Sequence, residues 1–436
     1  MSDSSPVPAV VWMKREWKLR GNPFPATGMA VSGGSNTREN GTLYEPSVHA
    51  DQLRQVVEKF VLRMSYGGLK FGYLWSDNVV AGDSDARGFG KTVLMQHVAG
   101  WINKDFGKSV CLSAGLDEED AEEVPICCLV TGFDTSQIRT LSAALFVAVD
   151  YAVKSRVGNG PTLASRLRER LVHRTGTTDA RKLADVVAQG HRALRGRTLG
   201  PPDDKLIAAL CESDPTAAEE YMTRLTPTSR SRNGAVHMAT FLLFAAAAGI
   251  EHVLVFCDQL EDLASTTTAK AKRDLEVERF RDVIVETLPM ADMVTMVVTM
   301  HPRAAVTIGT AWDLADLPSF ALTEQNQAST VKLSALRDPS QVAQLLRPYV
   351  RAATKDEVSR TDDDLFPFTK EAVGSLFTRS NRKPRDVLRK AHTILEAAAA
   401  RNLERIDSDD VIGFFDASGH LPMSFGLSSD IDWSRG

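Results

Sequence analysis

Gly88, Phe89, Gly90, Lys91 and Thr92 are the residues of this 436-residue chain most directly suited to chemistry. Two glycines let a loop turn tightly and bring backbone N–H groups to an anion. The Lys ammonium neutralises phosphate charge, and the Thr hydroxyl can hold Mg²⁺. This is the ending of a phosphate loop of pattern G-x-x-x-x-G-K-[ST]. Its first position is Asp85 instead of Gly, and the nearest upstream glycine is Gly82. Arg87, Gly88, Phe89, Gly90, Lys91, Thr92 and Val93 are the expected nucleotide-binding residues, with ATP and Mg²⁺ as the expected cofactors.

A second motif lies far downstream. The apolar run Val253 to Cys257 ends in Asp258, followed by Gln259, Leu260, Glu261 and Asp262. An Asp at the C-terminal edge of a strand, downstream of a phosphate loop, reaches Mg²⁺ through water. Thr92 and Asp258 are therefore the expected metal-holding pair. Hydrolysis also needs a group that orients or deprotonates the attacking water. The position directly after Asp258 is Gln259 and not an acid. Glu261 is the expected base, and Gln259 is an alternative that orients water, as a Gln does in some GTPases. A later apolar run ends in Thr299, Met300 and His301. Thr299 or His301 would lie between the two motifs and touch the γ-phosphate or the water. Arg385 follows Pro384, a residue suited to the first helical position, and could reach back to the nucleotide.

Elements of two kinds must position these groups. Pro125–Val130, His252–Cys257, Met293–Thr299 and Thr330–Leu333 are apolar runs, as expected of strands buried on both faces of a parallel sheet. Val79–Ala81 reads as a strand end before the phosphate loop, and Val93–Ala99 as the helix after it. Helical segments separate the strands. The expected fold class is therefore α/β, a doubly wound parallel sheet. One crossover helix suffices between parallel strands. Here the runs Pro125–Val130 and His252–Cys257 are separated by a helix-rich stretch punctuated by Gly and Pro, an insertion at about 136–249. It serves either as structural packing or as a partner-docking element. From residue 334 to 415 the chain is helical again, a second compact domain, and 416–436 is a tail that keeps Phe425, Ile431 and Trp433.

Composition narrows the function classes. The net charge is −5, so no global basic field draws the chain to nucleic acid. Asp117–Glu123 is an acidic run that reads as a solvated loop, and Arg379–Lys390 is a basic cluster. The five cysteines show no metal-ligand spacing and read as buried reduced thiols of a cytoplasmic protein. No signal peptide is apparent, and Ala239–Ile250 is too short to span a bilayer.

Taken together and in this order, the motifs resemble the AAA+ ATPases. The likeness is to the branch of origin-recognition, transposition-regulator and general-secretion ATPases that open with an Asn-Pro-Phe segment. Asn22-Pro23-Phe24 and Leu43-Tyr44-Glu45-Pro46 are similar to that opening. Gly88 to Thr92 resembles the family's Walker A, Val253 to Asp258 its Walker B, and Thr299 or His301 its sensor 1. Phe366 to Thr369, with Lys383-Pro384-Arg385, resembles a lid carrying the sensor 2 Arg. The resemblance implies an N-terminal arm over 1–47, an AAA+ α/β core over 48–333 and a helical lid over 334–415. It also implies a homo-oligomer, in which Arg279, Arg281 or Arg303 of a neighbouring subunit completes the site. Asp85 and Gln259 depart from the family pattern and bear on hydrolysis more than on binding.

Three readings follow: an ATP-binding switch ATPase acting in a protein assembly with slow hydrolysis, a DNA-associated ATPase regulator, or a hydrolysis-dead scaffold. Protein partners would dock through the insertion or the tail. DNA would meet Arg379–Lys390 and the basic-aromatic segment Trp12–Arg20.

Overall fold

The computed structural model describes residues 7–28, 37–38, 41–62, 70–76, 88–132, 140–156, 160–193, 202–260, 270–282, 293–299, 302–317, 329–355 and 364–418. The expected strand end Val79–Ala81 and nearly all of the tail lie outside them. Chain contacts divide the protein into two compact units. One is Ala30–Ser334, and the other joins Met1–Met29 to Ala335–Gly436.

The larger unit is built on five strands: β1 (Lys70–Ser76), β2 (Ile126–Gly132), β3 (His252–Asp258), β4 (Val294–Thr299) and β5 (Thr330–Leu333). All pair in parallel, in the order β2-β3-β4-β1-β5. This is the expected α/β doubly wound parallel sheet, carrying a large helical insertion between β2 and β3. The apolar runs are explained by burial on both faces: Val253 through Cys257 are fully buried, as are most residues of β2 and β4. The register sets Val298 of β4 against Tyr73 of β1 and against Cys257 of β3.

β1 is the strand the sequence hides. Lys70 and Gly72 break its apolar run. Gly72 is required there because a Cβ would fall 2.4 Å from the Phe60 ring.

The insertion between β2 and β3 comprises helices Leu141–Lys154, Leu163–Thr175, Ala180–Ala193, Asp204–Cys211, Ala217–Arg224 and Pro227–Ala247. Thr140, Thr162, Asp203 and Thr226 each cap a helix by accepting a backbone N–H, which is why these boundaries are legible. Leu167, Leu171, Leu183, Val187, Phe241 and Phe244 join its core to the core of the sheet. The acidic run departs from expectation. Glu118–Glu123 is a short helix, because Asp117 caps it and acids in a first turn complement the helix dipole.

The smaller unit is helical: Pro339–Ala353, Lys370–Arg379, Pro384–Ala400 and Ser408–Ser418, with Ala9–Arg15 from the N-terminal segment. That segment is built into the unit. Phe24 is buried against Tyr349 and Phe368. Asn22 donates to the His392 carbonyl and to Glu396, and His392 Nδ1 lies 2.8 Å from the Phe24 carbonyl. Among the described residues, no helix is long and apolar enough to cross a membrane.

Candidate functional site

Strands β1, β3 and β4 are adjacent, and each ends in a polar residue: Ser76, Asp258 and Thr299. Parallel strands bring these ends to one edge of the sheet, where ligands of open α/β folds bind. The helix Lys91–Asp105 begins at the same edge. Its N-cap is Gly90 at φ +90°, a backbone that a side chain would strain, and no side chain caps its first N–H groups. A helix start with uncapped donors is a natural anion site. Phe89 is buried, so its ring anchors the loop and leaves the backbone to face an anion.

Several of the expected side chains come together at this edge. Thr92 Oγ1 donates to Asp258 Oδ2 at 2.6 Å, and Thr299 Oγ1 donates to Asp258 Oδ1 at 2.5 Å. The Gln259 backbone N–H donates to Thr299 Oγ1 at 3.0 Å. Lys91 Nζ reaches Ser76 Oγ at 3.0 Å. Asp258 is 8% exposed and Thr299 1%, so this carboxylate is buried, and its two hydroxyl donors offset its desolvation. Gln259 has φ +58°, a left-handed backbone, and its side chain is exposed. The turn after β3 thus holds Thr299 through the main chain and leaves the Gln259 amide at the surface.

Mg²⁺ fits this donor set. The ion keeps several waters and is usually held by one or two carboxylates together with substrate phosphates. One carboxylate beside a Thr hydroxyl matches that habit. Among the described residues, no cluster of three or more His, Cys, Asp or Glu forms an all-protein cage.

Two residues flanking the loop were not singled out from the sequence. Ser76 ends the strand that Gly72 obscured. His49 packs on the phosphate loop, its Cε1 lying 3.2 Å from where a Gly90 Cβ would be. Its ring stacks parallel on Tyr44, whose hydroxyl lies 3.2 Å from His49 Nδ1. Burial pushes the His49 pKa down to about 4, partly opposed by the Phe89 backbone. A neutral imidazole therefore abuts the loop.

Other expected residues fall elsewhere. Asp85, Arg87, Glu261, Asp262 and His301 lie outside the described residues. Arg385 belongs to the smaller unit, at the second position of helix Pro384–Ala400, where its carbonyl and Cγ lie against Gly28. Arg279 pairs with Glu276 at 3.1 Å and Arg281 with Asp282 at 3.3 Å. Arg303 is at the second position of helix Pro302–Leu314.

The two segments expected to meet DNA are largely engaged within their own unit. Trp17 is fully buried, and the Trp12 and Trp17 indoles both donate to the Leu403 carbonyl. In the basic cluster, Arg379 pairs with Asp416 and Arg389 with Asp386. Lys390 lies 4.6 Å over the Phe415 ring and donates to the Arg379 carbonyl.

All five cysteines are buried and free, and burial raises the Cys127 thiol to about 12, which keeps it protonated.

No protein-family model matches the chain, and no curated protein sequence matches it. Solved structures give coarse likenesses. The ORC2 protein of Aeropyrum pernix in its ADPNP–ADP complexes is 10% identical, with a TM-score of 0.40. That match covers 85% of this chain and 66% of the other. The ADP form of the same protein is 10% identical with a TM-score of 0.39, covering 88% of this chain and 70% of the other.

Proposed function

We propose that the protein is an AAA+-type nucleotide switch, binding ATP with Mg²⁺ and hydrolysing it slowly within an assembly of several subunits. The observation that carries this reading is the hydrogen-bonded set Thr92–Asp258–Thr299 beside Lys91, at adjoining strand ends and a helix start.

Each residue has a defined task in this reading. Backbone N–H groups from Gly88 to Val93 cradle the phosphates, and Lys91 exchanges its Ser76 partner for phosphate oxygens. Thr92 and Asp258 hold Mg²⁺, which supplies charge neutralisation at the β- and γ-phosphates when bound. Thr299 keeps the Asp258 carboxylate oriented. Glu261 takes the proton of the attacking water, or Gln259 orients that water. Either role is modest without an acid directly after Asp258, which supports slow turnover. Arg385 of the helical unit senses the γ-phosphate, and His301 is a second candidate beside Thr299 for that contact. Arg279, Arg281 or Arg303 of a neighbouring subunit completes the site. Arg279 is exposed and pairs with the buried Glu276 at 3.1 Å, so releasing it for a neighbouring subunit would leave that carboxylate unpaired.

The test combines native mass measurement with turnover. ATP·Mg²⁺ is expected to raise the mass of the purified protein by at least one subunit. Lys91→Ala is expected to abolish that shift and to weaken ATP binding by roughly 10- to 100-fold. Measurable turnover lost in Glu261→Gln or Gln259→Ala assigns the water-handling residue. ATP binding without turnover in the unaltered protein would make it a nucleotide-dependent scaffold, and no ATP binding at all would overturn the proposal.

A further inference from the structure

Charge is not evenly spread over this acidic chain. Between residues 154 and 197 the sequence carries Lys or Arg eleven times and Asp or Glu three times, although the whole chain has net charge −5. The helix Leu163–Thr175 concentrates that charge. Arg166, Arg170 and Arg174 recur every four residues, so they share one stripe of its surface, with successive positions about 6 Å apart along the axis.

Tertiary contacts hold the stripe in place. The Arg166 guanidinium lies 4.9 Å from the Phe106 ring centroid and that of Arg170 5.0 Å, so two cations share one aromatic ring. Arg166 Nη1 also donates to the Asn103 carbonyl, and Arg170 Nε to the Ala248 carbonyl at 3.3 Å. Arg174 lies across Gly249, where a Cβ would fall 1.8 Å from its Nη1. Among the described residues, none of the three pairs with a carboxylate. Glu118 and Glu122 pair with Lys108. Burial and the charge of Arg174 both push the Arg170 pKa down, as expected where like charges stand close with no counter-ion. Each guanidinium has five donors, and the contacts above use one of Arg166 and one of Arg170.

The stripe lies far from the candidate nucleotide site. Phe106 pairs with the first residue of β2, its carbonyl accepting the Ile126 N–H, and Gly249 precedes β3. Both are at the N-terminal ends of the strands, the edge opposite Asp258 and Thr299.

We infer that Arg166, Arg170 and Arg174 form a docking surface for the phosphate backbone of duplex nucleic acid. Uncompensated arginines at regular spacing match a polyanion. Stacking on Phe106 and the carbonyl contacts prepay part of the side-chain ordering that binding would otherwise cost. A protein interface of stable kind has a buried apolar or aromatic core, and among the described residues none of the large exposed apolar side chains lies between 154 and 197. With no exposed aromatic platform on this stripe, the contact is to backbone and not to unstacked bases. This inference is independent of the ATP reading.

Binding of the full chain to a labelled 30-base-pair DNA duplex, without nucleotide, tests it. Affinity is expected to fall steeply as salt rises from about 50 mM. Arg170→Gln/Arg174→Gln should weaken binding by about tenfold and lower the salt slope by about two, because each lost phosphate contact removes about one from it. Arg174→Gln alone, which removes no hydrogen bond recorded for the fold, should lower the slope by about one. Arg54→Gln/Arg224→Gln makes the same charge change elsewhere and should leave affinity unchanged. No binding at low salt, an equal loss in that control, or tighter binding to a poly-glutamate peptide than to DNA would overturn the inference. Lys91→Ala should retain DNA affinity, so loss of ATP binding and loss of DNA binding are read separately.

Discussion

Asp258 is held by two hydroxyls, and the energetics of the candidate site turn on that. Thr299→Val removes a donor from a buried carboxylate and the acceptor of the Gln259 N–H. Leaving such groups unsatisfied costs about 1–3 kcal/mol each. The expected result is a destabilisation of at least about 2 kcal/mol in chemical denaturation, with ATP turnover reduced further than ATP affinity. Lys91→Ala should weaken ATP binding by roughly 10- to 100-fold, the worth of hydrogen bonds to charged groups; isothermal titration measures it. His49 makes a pH prediction. Its folded pKa, about 4, lies below the unfolded value of 6.5. Between those values the unfolded chain binds a proton that the folded chain does not. Stability is therefore full above pH 6.5 and falls as the pH drops toward 4, by roughly 2 kcal/mol at pH 5. His97 and His252 are also lowered by burial and act in the same direction. Denaturation of wild type and His49→Phe at pH 7 and pH 5 checks this: the pH-induced loss should shrink in the variant.

At the scale of elements, the N-terminal segment is a component of the helical unit. Gly28 has φ +62°, and a Cβ there would fall 2.5 Å from the Arg385 carbonyl oxygen. Gly28→Ala is expected to cost about 1–2 kcal/mol for the left-handed backbone alone, plus the displacement of the start of helix Pro384–Ala400. Hydrogen exchange should show faster opening of that helix while the sheet stays protected. If the helix exchanges as in the wild type, the segment is not holding it. In the proposed reading, where Arg385 senses the γ-phosphate, the same variant also tests how that residue is held, because Arg385 sits on the turn that Gly28 packs against.

At the scale of the whole molecule, two compact units predict two unfolding transitions in calorimetry, since separate cores need not melt together. ATP·Mg²⁺ at about a hundred times its Kd should raise the stability of the sheet-bearing unit by about 2.7 kcal/mol. A sheet transition indifferent to ATP would contradict nucleotide binding there.

Much of this architecture was legible in the linear order of residues. Strands buried on both faces have no polar alternation to maintain, so β2, β3, β4 and β5 stand out as apolar runs. Helix boundaries are marked by local capping chemistry, as at Thr162, Asp203 and Pro384. The Lys91-Thr92 and Asp258 motifs are visible because phosphate and Mg²⁺ demand particular residue types at strand ends. What lies between elements was not legible. β1 was hidden because Gly72 answers to Phe60, a contact twelve residues away. His49 and Ser76 look ordinary until the fold sets one beside Gly90 and the other beside Lys91. The basic cluster at Arg379–Lys390 looked free until Asp416, Asp386 and Phe415 were found against it, whereas Arg166, Arg170 and Arg174 gained their meaning from Phe106. Local propensity and motif chemistry act over a few residues and are written in the chain. Which charges are neutralised, and which are left facing outward, depends on partners that only tertiary packing brings together.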